Sequence, residues 1–468
     1  MAVAAAETAG ARVAVVAAAA VAAVVEAAAR AVERARTPER RSGVSDEEVR
    51  RTRLASGLRI VTESLPASRS ITVGAWVGSG ARDEAPERSG ASHFLEHLLF
   101  KGTDRRSARE IAESVESVGG DMNAFTTHEQ TVFYVRLPDT QLELAIDILA
   151  DVLWSPAFRP DDVESERQVI LEEIGMRDDT PDDLVHDVFT RTHFPDHPVG
   201  REVLGTEATI AAMPRDGIAE YHHAHYEPAN IVLAAAGNLA HDDLVAMIES
   251  RGPADMPERP AREHSQPAPG GGLAVITRPT EQAHVVLGLP SVPSLDPDRD
   301  ALTVMNHALG GGMASRLFQE IREERGLAYS VYSYRAAFDD TGYLAIYAGT
   351  SPERIQETIE VIEAQLDRLE REGLPARELE AAKGHLTGSL AMSLETSSSR
   401  MRRLGRSELV EGEIPTLDEV IARIEAVTAD DIRRVVDRVI RDAPRTLAVV
   451  GPHEEREFSS YANSRTRA

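Results

Sequence analysis

The sequence predicts an α+β fold made of two tandem copies of one unit of roughly 200 residues, which is a usual domain size. Three observations predict this fold. The chain has 468 residues, too many for one typical domain. The segment 251–272 contains five prolines and a run of three glycines, as interdomain linkers do. On each side of it a strand-like stretch leads into a long helical one, at Thr131–Trp154 and at Gly342–Leu369.

Alternating, β-branched stretches predict the strands, and apolar residues three and four positions apart predict the helices. In the first unit we expect strands at Gly57–Leu65, Ser70–Val77, Asp121–Phe125, Thr131–Leu137 and Asn230–Ala236, and helices at Gly90–Phe100, Ser107–Val118, Thr140–Trp154, Asp161–Met176, Pro181–Thr192 and Asp242–Ser250. In the second unit we expect strands at Leu273–Ile276, Ala283–Leu289, Tyr329–Tyr334, Gly342–Tyr347 and Thr446–Val450, and helices at Asp300–Leu309, Ala314–Glu324, Ser351–Leu369, Ala376–Ser393, Ser398–Leu409 and Thr428–Ile440.

The predicted boundaries are an alanine-rich and charged extension at 1–49, a first unit at 50–251, a linker at 252–272, a second unit at 273–453 and a tail at 454–468. In the extension, the apolar run Val13–Val25 is shorter than the roughly 17–25 residues of a membrane span. We interpret it as a helical extension, with a signal peptide or anchor as the alternative. We therefore expect a cytoplasmic protein without a stable membrane span. The charged segment Arg34–Arg53 is interpreted as a linker.

Charge and composition limit the classes of partner and metal site. The chain has 51 Lys and Arg against 77 Asp and Glu, a net charge of −26, which argues against broad binding to nucleic acid or anionic membranes. An apolar fraction of 42% allows sizeable buried cores. Because the chain has no cysteine, any metal must be held by His, Asp or Glu.

The stretch Gly90–Phe100 carries the clearest chemical signal. In it, His93, Glu96 and His97 follow the order H-x-x-E-H. Offsets of three and four return to the same face of a helix, so these side chains point the same way. Two imidazoles at this spacing can hold one metal ion, and a carboxylate beside them can accept a proton. The order is the inverzincin pattern.

Two histidines alone leave a catalytic zinc site incomplete, because such sites use three protein ligands and one open position. The acidic helix predicted at Asp161–Met176 is the expected donor, with Glu164, Glu166, Glu172 and Glu173 as candidates. Glu166 and Glu173 are seven residues apart and share a helix face, which suits one ligand and one supporting carboxylate. Spacing alone leaves the choice between Glu172 and Glu173 open.

Two other clusters are candidate functional sites. His222, His223 and His225 form a competing metal candidate, but their spacing fits known ligand patterns loosely, and we interpret them as surface histidines. The glycine run Gly310–Gly312 is not a phosphate-binding loop, because no Gly-Lys-Ser or Gly-Lys-Thr follows it.

Four segments resemble the M16 peptidases, the family of pitrilysin, insulysin and the mitochondrial processing peptidase. Gly90–Thr103 resembles the active-site segment of that family, and Gly119–Tyr134 resembles its N-A-x-T-x-x-E-x-T strand pair. Glu166–Glu173 resembles its E-x-x-V-I-x-x-E helix, and Gly310–Tyr332 resembles its second-half segment with a functional Arg and Tyr. The resemblance covers approximately residues 50 to 452, with the segments in the family order.

The resemblance implies roles for the residues of the first unit. His93, His97 and Glu173 would be the ligands of one zinc ion per chain, so the resemblance selects Glu173 over Glu172. Glu96 would be the general base that takes a proton from water and passes it to the leaving amine. Glu166 would be the supporting carboxylate beside the ligands.

The resemblance also implies roles in substrate binding. Arg322 and Tyr329 would contact the substrate and support the transition state. Asn123 and Ala124 would belong to the edge strand on which a peptide docks by β-augmentation, in which main-chain hydrogen bonds provide affinity.

For the whole chain, the resemblance implies two α/β-sandwich domains with mostly antiparallel sheets covered by helices, forming half of a clamshell. Two chains would pair as a homodimer that encloses a chamber, and Arg322 and Tyr329 would reach the partner's zinc site. The implied activity is zinc-dependent endopeptidase cleavage of peptides or presequence-like unfolded segments. The alternative is a non-catalytic assembly subunit of the same family.

Overall fold

The computed structural model describes residues 49–252, 267 and 270–462. The predicted N-terminal extension, apart from its last residue, and most of the predicted linker lie outside the described residues, as does the apolar run Val13–Val25. Within the described part of the chain, no helix is both long enough and apolar enough to cross a membrane.

The first sheet has six strands in the order β1-β2-β6-β3-β5-β4. Its strands are β1 (Val49–Arg53), β2 (Arg59–Ser64), β3 (Ser70–Val77), β4 (Asp121–Thr126), β5 (Thr131–Pro138) and β6 (Ile231–Gly237). The β2–β6 pair is parallel, and the remaining pairs are antiparallel. Strand β4 therefore lies at an edge of the sheet, with one side of its backbone facing away from β5.

The second sheet has five strands in the order β7-β11-β8-β10-β9. Its strands are β7 (Gly272–Thr277), β8 (Ala283–Ser291), β9 (Ala328–Ala337), β10 (Gly342–Thr350) and β11 (Thr446–Gly451). The β7–β11 pair is parallel and the others are antiparallel. This order repeats the order β2-β6-β3-β5-β4 of the first sheet. The predicted α+β fold with two mostly antiparallel sheets is thus confirmed.

Helices cover both sheets. In the first half of the chain they are α1 (Ala91–Leu99), α2 (Ala108–Glu116), α3 (Leu142–Trp154), α4 (Pro160–Asp178), α5 (Pro181–His193), α6 (Glu207–Ala212), α7 (Arg215–His225) and α8 (His241–Glu249). In the second half they are α9 (Arg299–Gly310), α10 (Ile355–Glu372), α11 (Ala376–Ser393), α12 (Ser397–Arg406), α13 (Leu417–Glu425), α14 (Ala429–Val439) and α15 (Ser459–Ala462). The second half also contains π-helical segments at Phe318–Glu324 and Ser407–Glu411.

Two helices cross from one half of the chain to the sheet of the other half. Helix α5 packs on β8 and β11 of the second sheet, and α12 packs on β3 and β6 of the first sheet. Met401 and Leu404 of α12, for example, are buried against Trp76 and Val232. The remaining helices of each half cover the opposite face of their own sheet. Each sheet is therefore covered on both faces, and the two halves share buried apolar surface.

One predicted linker segment is a strand in the structure. We interpreted Arg34–Arg53 as a linker, and this was wrong for its last residues, because Val49–Arg53 forms β1 and pairs with β2. The high charge of this segment hid the strand. Charged side chains are usual on edge strands, because they prevent pairing with another chain.

Candidate metal centre

Helix α1 presents its histidines on one side and packs its apolar residues on the other. Phe94, Leu95 and Leu99 are fully buried in the core beneath the first sheet. The nine-residue helix is held mainly by this packing, since isolated helices of that length are unstable in water. His93, Glu96 and His97 are thereby fixed on a helix face that points away from the core.

The start of α1 is fixed by a glutamate that sequence reasoning missed. Gly90 is the N-cap residue, in the left-handed conformation with φ of 93°. The buried carboxylate of Glu84 accepts hydrogen bonds from the N–H groups of Gly90 and Ser92, both at 2.7 Å. Burial raises the pKa of Glu84 to about 8, against the lowering effect of these two hydrogen bonds. The Ser92 hydroxyl instead contacts the hydroxyl of Tyr221 at 2.9 Å.

The structure brings His93, His97 and Glu173 together. Nε2 of each histidine lies 3.6 Å from Oε2 of Glu173, and all three ligand atoms are within 4.8 Å of one another. Atoms that ligate a tetrahedral zinc at about 2.0–2.2 Å are separated by about 3.3–3.6 Å. The two histidine–Glu173 separations and the chemistry of the three donors therefore fit a zinc ion. In residues 49–252, 267 and 270–462, this is the only cluster of three or more His, Asp or Glu with such spacing.

The protonation state of His93 suits a metal ligand. Burial, together with a smaller effect of the neighbouring His97, lowers the pKa of His93 to about 4. His93 is therefore neutral at physiological pH, so a lone pair is available on Nε2. Its Nδ1 is buried and makes no hydrogen bond within the described part of the chain.

His97 is oriented by Glu166, the carboxylate predicted to support the ligands. Nδ1 of His97 lies 3.1 Å from Oε2 of Glu166, so Nε2 is directed to the side of Glu173. The other oxygen of Glu166 forms an ion pair with Lys101 at 2.6 Å. Such a contact to the second nitrogen of a ligating histidine fixes its tautomer and ring orientation. Sequence reasoning missed the role of Lys101, which lies four residues after His97, just beyond the end of α1.

Glu96 has a hydrogen-bond partner on the edge strand. The hydroxyl of Thr126, on β4, donates to Oε2 of Glu96 at 2.6 Å. Burial is the largest effect on Glu96 and raises its pKa, whereas the hydrogen bond from Thr126 and the charge of His97 lower it. A raised pKa brings this carboxylate closer to the range in which a general base works at neutral pH.

The predicted substrate-binding residues lie on β4, at the exposed edge of the first sheet. Asn123 is exposed, and Ala124 is half-buried. Oδ1 of Asn123 accepts a hydrogen bond from the N–H of Ala124 at 2.8 Å. A side chain therefore occupies a main-chain donor of the edge strand.

The structure does not bring Arg322 and Tyr329 to this cluster within one chain. They contact each other, with the Arg322 guanidinium carbon 4.5 Å from the centroid of the Tyr329 ring. Tyr329 is 78% exposed. Among the described residues, no hydrogen bond, ion pair or ring contact joins either residue to His93, His97 or Glu173.

In the histidine cluster near the end of α7, His223 is exposed, as expected of a surface histidine, whereas His222 and His225 are half-buried. Nε2 of His222 hydrogen-bonds to the carbonyl oxygen of Leu153 at 2.8 Å, and burial lowers the pKa of His222 to about 4. His225 stacks on Tyr221. The carbonyl group that His222 contacts belongs to Leu153, far away in the sequence, so local spacing could not reveal this contact.

Comparison with known proteins places the chain among proteins named zinc proteases. It is 46% identical over 419 residues to an uncharacterized zinc protease of Streptomyces coelicolor, covering 88% of this chain and 91% of that protein. A zinc protease of Mycobacterium tuberculosis is 45% identical, covering 86% of this chain and 93% of the relative. The zinc protease YmxG of Bacillus subtilis is 39% identical, covering 86% and 98%.

Two family models match successive parts of the chain. The model of insulinase, peptidase family M16, matches residues 59–207, and the model of the peptidase M16 inactive domain matches residues 212–386. The chain belongs to peptidase family M16.

Among solved structures, a protease from Helicobacter pylori matches with a TM-score of 0.82 and 24% identity, covering 87% of this chain and all of that one. A peptidase M16 inactive domain from Pseudomonas fluorescens has the same TM-score at 21% identity, covering 87% and 98%. These two likenesses concern the fold.

Proposed function

We propose that this protein is a zinc-dependent endopeptidase that cleaves peptides or unfolded presequence-like segments. The observation that supports the proposal is the cluster of His93, His97 and Glu173, with Glu96 on the same helix face. Three ligands and an adjacent carboxylate are the groups that hydrolysis of an amide at a zinc site requires. The relatives named zinc proteases support the same class of reaction.

In this proposal His93, His97 and Glu173 hold one zinc ion per chain. When bound, zinc supplies a Lewis acid that polarises the peptide carbonyl and lowers the pKa of water beside it. Glu96 accepts the proton of the attacking water and later gives it to the leaving amine. Glu166 keeps His97 in one tautomer, and Lys101 balances the negative charge of Glu166.

The substrate docks as an added strand on β4. The side of β4 that faces away from β5 offers main-chain donors and acceptors to a peptide. Because Asn123 already occupies the N–H of Ala124, an incoming peptide carbonyl must displace the Asn123 side chain. Thr126 at the end of the same strand contacts Glu96, so a docked peptide passes next to the general base.

The proposal includes a homodimer in which each catalytic site is completed by the partner. Arg322 and Tyr329 make no contact with the metal cluster of their own chain among the described residues, and Tyr329 is largely exposed. The guanidinium and the phenol are suited to stabilise negative charge that develops on the scissile carbonyl oxygen. In the proposed dimer they do so in the partner's site, inside a shared chamber.

The test compares the wild-type protein with Glu96→Gln for zinc content and for cleavage of a mixed peptide library. We expect both proteins to hold one zinc per chain, and the variant to lose cleavage by a factor of at least about 10²–10⁴. A wild-type protein that binds zinc and cleaves no peptide would instead be a non-catalytic assembly subunit. Full cleavage by Glu96→Gln would remove Glu96 as the base.

A further inference from the structure

Arg402, in the second half of the chain, lies against the first sheet beside its edge strand. It belongs to α12, the helix that packs on β3 and β6. Its guanidinium carbon lies 5.8 Å from the ring centroid of Phe125 on β4 and 5.2 Å from that of Tyr134 on β5. Its Nη2 donates a hydrogen bond to the Tyr134 hydroxyl at 3.1 Å. The two rings and the hydroxyl hold the cation at a fixed place by cation–π and hydrogen-bond contacts.

The two faces of β4 have different neighbours. Thr126 faces α1, where it contacts Glu96, and Ala124 packs on the core of that face. Phe125 faces the opposite side, where it packs edge-on against Trp76. Since side chains alternate along a strand, Asn123 shares the face of Phe125. Arg402 therefore lies on the face of β4 that is turned away from the candidate metal centre.

Arg402 differs from the neighbouring arginines of α12 in having no acidic partner. Arg400 and Arg403 both pair with Glu63. Within residues 49–252, 267 and 270–462, no carboxylate oxygen lies within 4.0 Å of a nitrogen of Arg402. Further along the same face, Asp121 of β4 is paired in register with Arg136 of β5. Arg402 is exposed and lies against Phe125 of this face, so its guanidinium is accessible beside β4.

We propose that Arg402 forms a subsite for an acidic side chain of the peptide. The inference rests on the proposed function, because it requires a peptide strand on β4. Neighbouring strands lie about 4.8 Å apart, and residues opposite each other point to the same face. A substrate residue opposite Asn123 or Phe125 therefore directs its side chain to the face of Arg402. A Glu or Asp carboxylate there can accept charge-assisted hydrogen bonds from the guanidinium, whereas a Lys or Arg is repelled.

The preference of this subsite for an acidic residue is opposite to the preference for basic peptides that the net charge of the chain creates. A net charge of −26 attracts basic peptides at long range, but this attraction is screened beyond about 8–10 Å at physiological salt. Contacts of Arg402 act within a few ångströms and at one position of the peptide. The expected substrate therefore carries an acidic residue at one position, whatever the charge of its remaining residues.

The experiment measures cleavage of a peptide library in which one position at a time is Glu, Gln or Lys. With wild-type protein we expect kcat/KM for Glu to exceed that for Gln by about twofold to tenfold at one position, a size typical of a partly exposed charge pair. In Arg402→Gln this ratio falls to about one, and in Arg402→Glu the Lys peptide is preferred. Arg402→Lys keeps the charge and retains a preference for Glu.

The control is Arg433→Gln, which removes another exposed arginine, on α14, and leaves the Glu-to-Gln ratio unchanged. Melting temperatures of all variants show whether the fold is intact. Cleavage without any acidic preference, or a preference that persists in a folded Arg402→Gln, overturns the inference and leaves the proposed function in place. If wild-type protein cleaves no peptide, binding of the Glu and Gln peptides is measured instead, and equal affinities overturn the inference separately.

Discussion

At the residue scale, the ionisation of Glu96 sets the pH dependence of the proposed activity. Glu96 must be ionised to accept a proton, so activity falls as the pH drops through its pKa. Burial raises that pKa above the ordinary 4.5, and the hydrogen bond from Thr126 partly reverses the effect. Thr126→Ala removes the hydrogen bond that lowers the pKa of Glu96. We therefore expect the acidic limb of the pH profile of kcat/KM to move to higher pH. Thr126→Ser keeps a hydroxyl and should leave the acidic limb at the wild-type pH. If the limb does not move in Thr126→Ala, the hydrogen bond from Thr126 does not influence the pKa of Glu96.

The choice of the third ligand is also a residue-scale question, and two adjacent glutamates provide a matched pair. Oε2 of Glu173 lies 3.6 Å from both histidine Nε2 atoms, whereas Glu172 is exposed on another side of α4. We expect Glu173→Gln to weaken zinc binding by more than the 10–100-fold that loss of a ligand's supporting partner causes. Glu172→Gln should bind zinc as the wild type does. Titration with a competing chelator measures both, and the reverse order would move the ligand assignment.

Some residues around the candidate site could be predicted from the sequence and others could not. His93, Glu96 and His97 follow from helical spacing alone. Helical spacing did not decide whether Glu172 or Glu173 is the third metal ligand, and only the family resemblance selected Glu173. Lys101 and Thr126 carry no local signal, because each acts through a partner that folding alone brings close. Glu84 is only six residues from Gly90, but its position does not match the usual capping spacing of three residues. Their roles became visible only in the structure.

At the scale of the element, Glu84 controls how α1 is held. Its carboxylate accepts two main-chain N–H groups that the first turn of a helix leaves without partners. We expect Glu84→Ala to destabilise the protein by about 1–2 kcal/mol, the usual effect of losing a helix cap. Because α1 carries both histidines, zinc affinity should fall as well. Thermal unfolding with and without zinc measures both effects.

The matched control for Glu84 lies in the same loop. Glu87 is exposed, so Glu87→Gln should change neither the unfolding temperature nor zinc affinity. A Glu84→Ala protein that unfolds at the wild-type temperature would show that packing of Phe94, Leu95 and Leu99 alone positions the helix.

Element type was easier to predict than element partners. The strand Ser70–Val77 and the helix Ala376–Ser393 have the boundaries that the sequence predicted. Their periodicity shows which side chains are buried, but not against what. The packing of α12 on the first sheet and of α5 on the second could therefore not be foreseen. Arg402 reaches the edge strand only because of this exchange.

At the scale of the whole molecule, the two sheets share one strand order but differ in chemistry. Both have a parallel pair followed by antiparallel strands that end at an edge, β4 in one and β9 in the other. The metal cluster lies under the first sheet, whereas Arg322 and Tyr329 belong to the second half. The sequence predicted the repeat from the recurring order of strands and helices. It could not predict how two chains pair, because the sequence around an exposed residue such as Tyr329 does not show which surface that residue contacts.

The last prediction tests whether two chains share a catalytic site. A heterodimer is purified from one Glu96→Gln chain and one Tyr329→Phe chain with different affinity tags. If Tyr329 acts in the partner's site, the Tyr329→Phe chain keeps its own Glu96 and receives Tyr329 from the other chain. One of the two sites is then intact, so about half of the wild-type activity returns, whereas each mutant homodimer is nearly inactive.

The control is a heterodimer that carries both substitutions on one chain. For this heterodimer, shared sites predict no activity. A heterodimer of one wild-type chain and one chain with both Glu96→Gln and Tyr329→Phe contains the same substitutions. With shared sites no site is intact, because the wild-type chain receives a phenylalanine and the other chain lacks its base. With sites confined to single chains, the wild-type chain keeps full function and the first heterodimer has none. The two heterodimers therefore give opposite results under the two arrangements, at equal zinc content and equal stability.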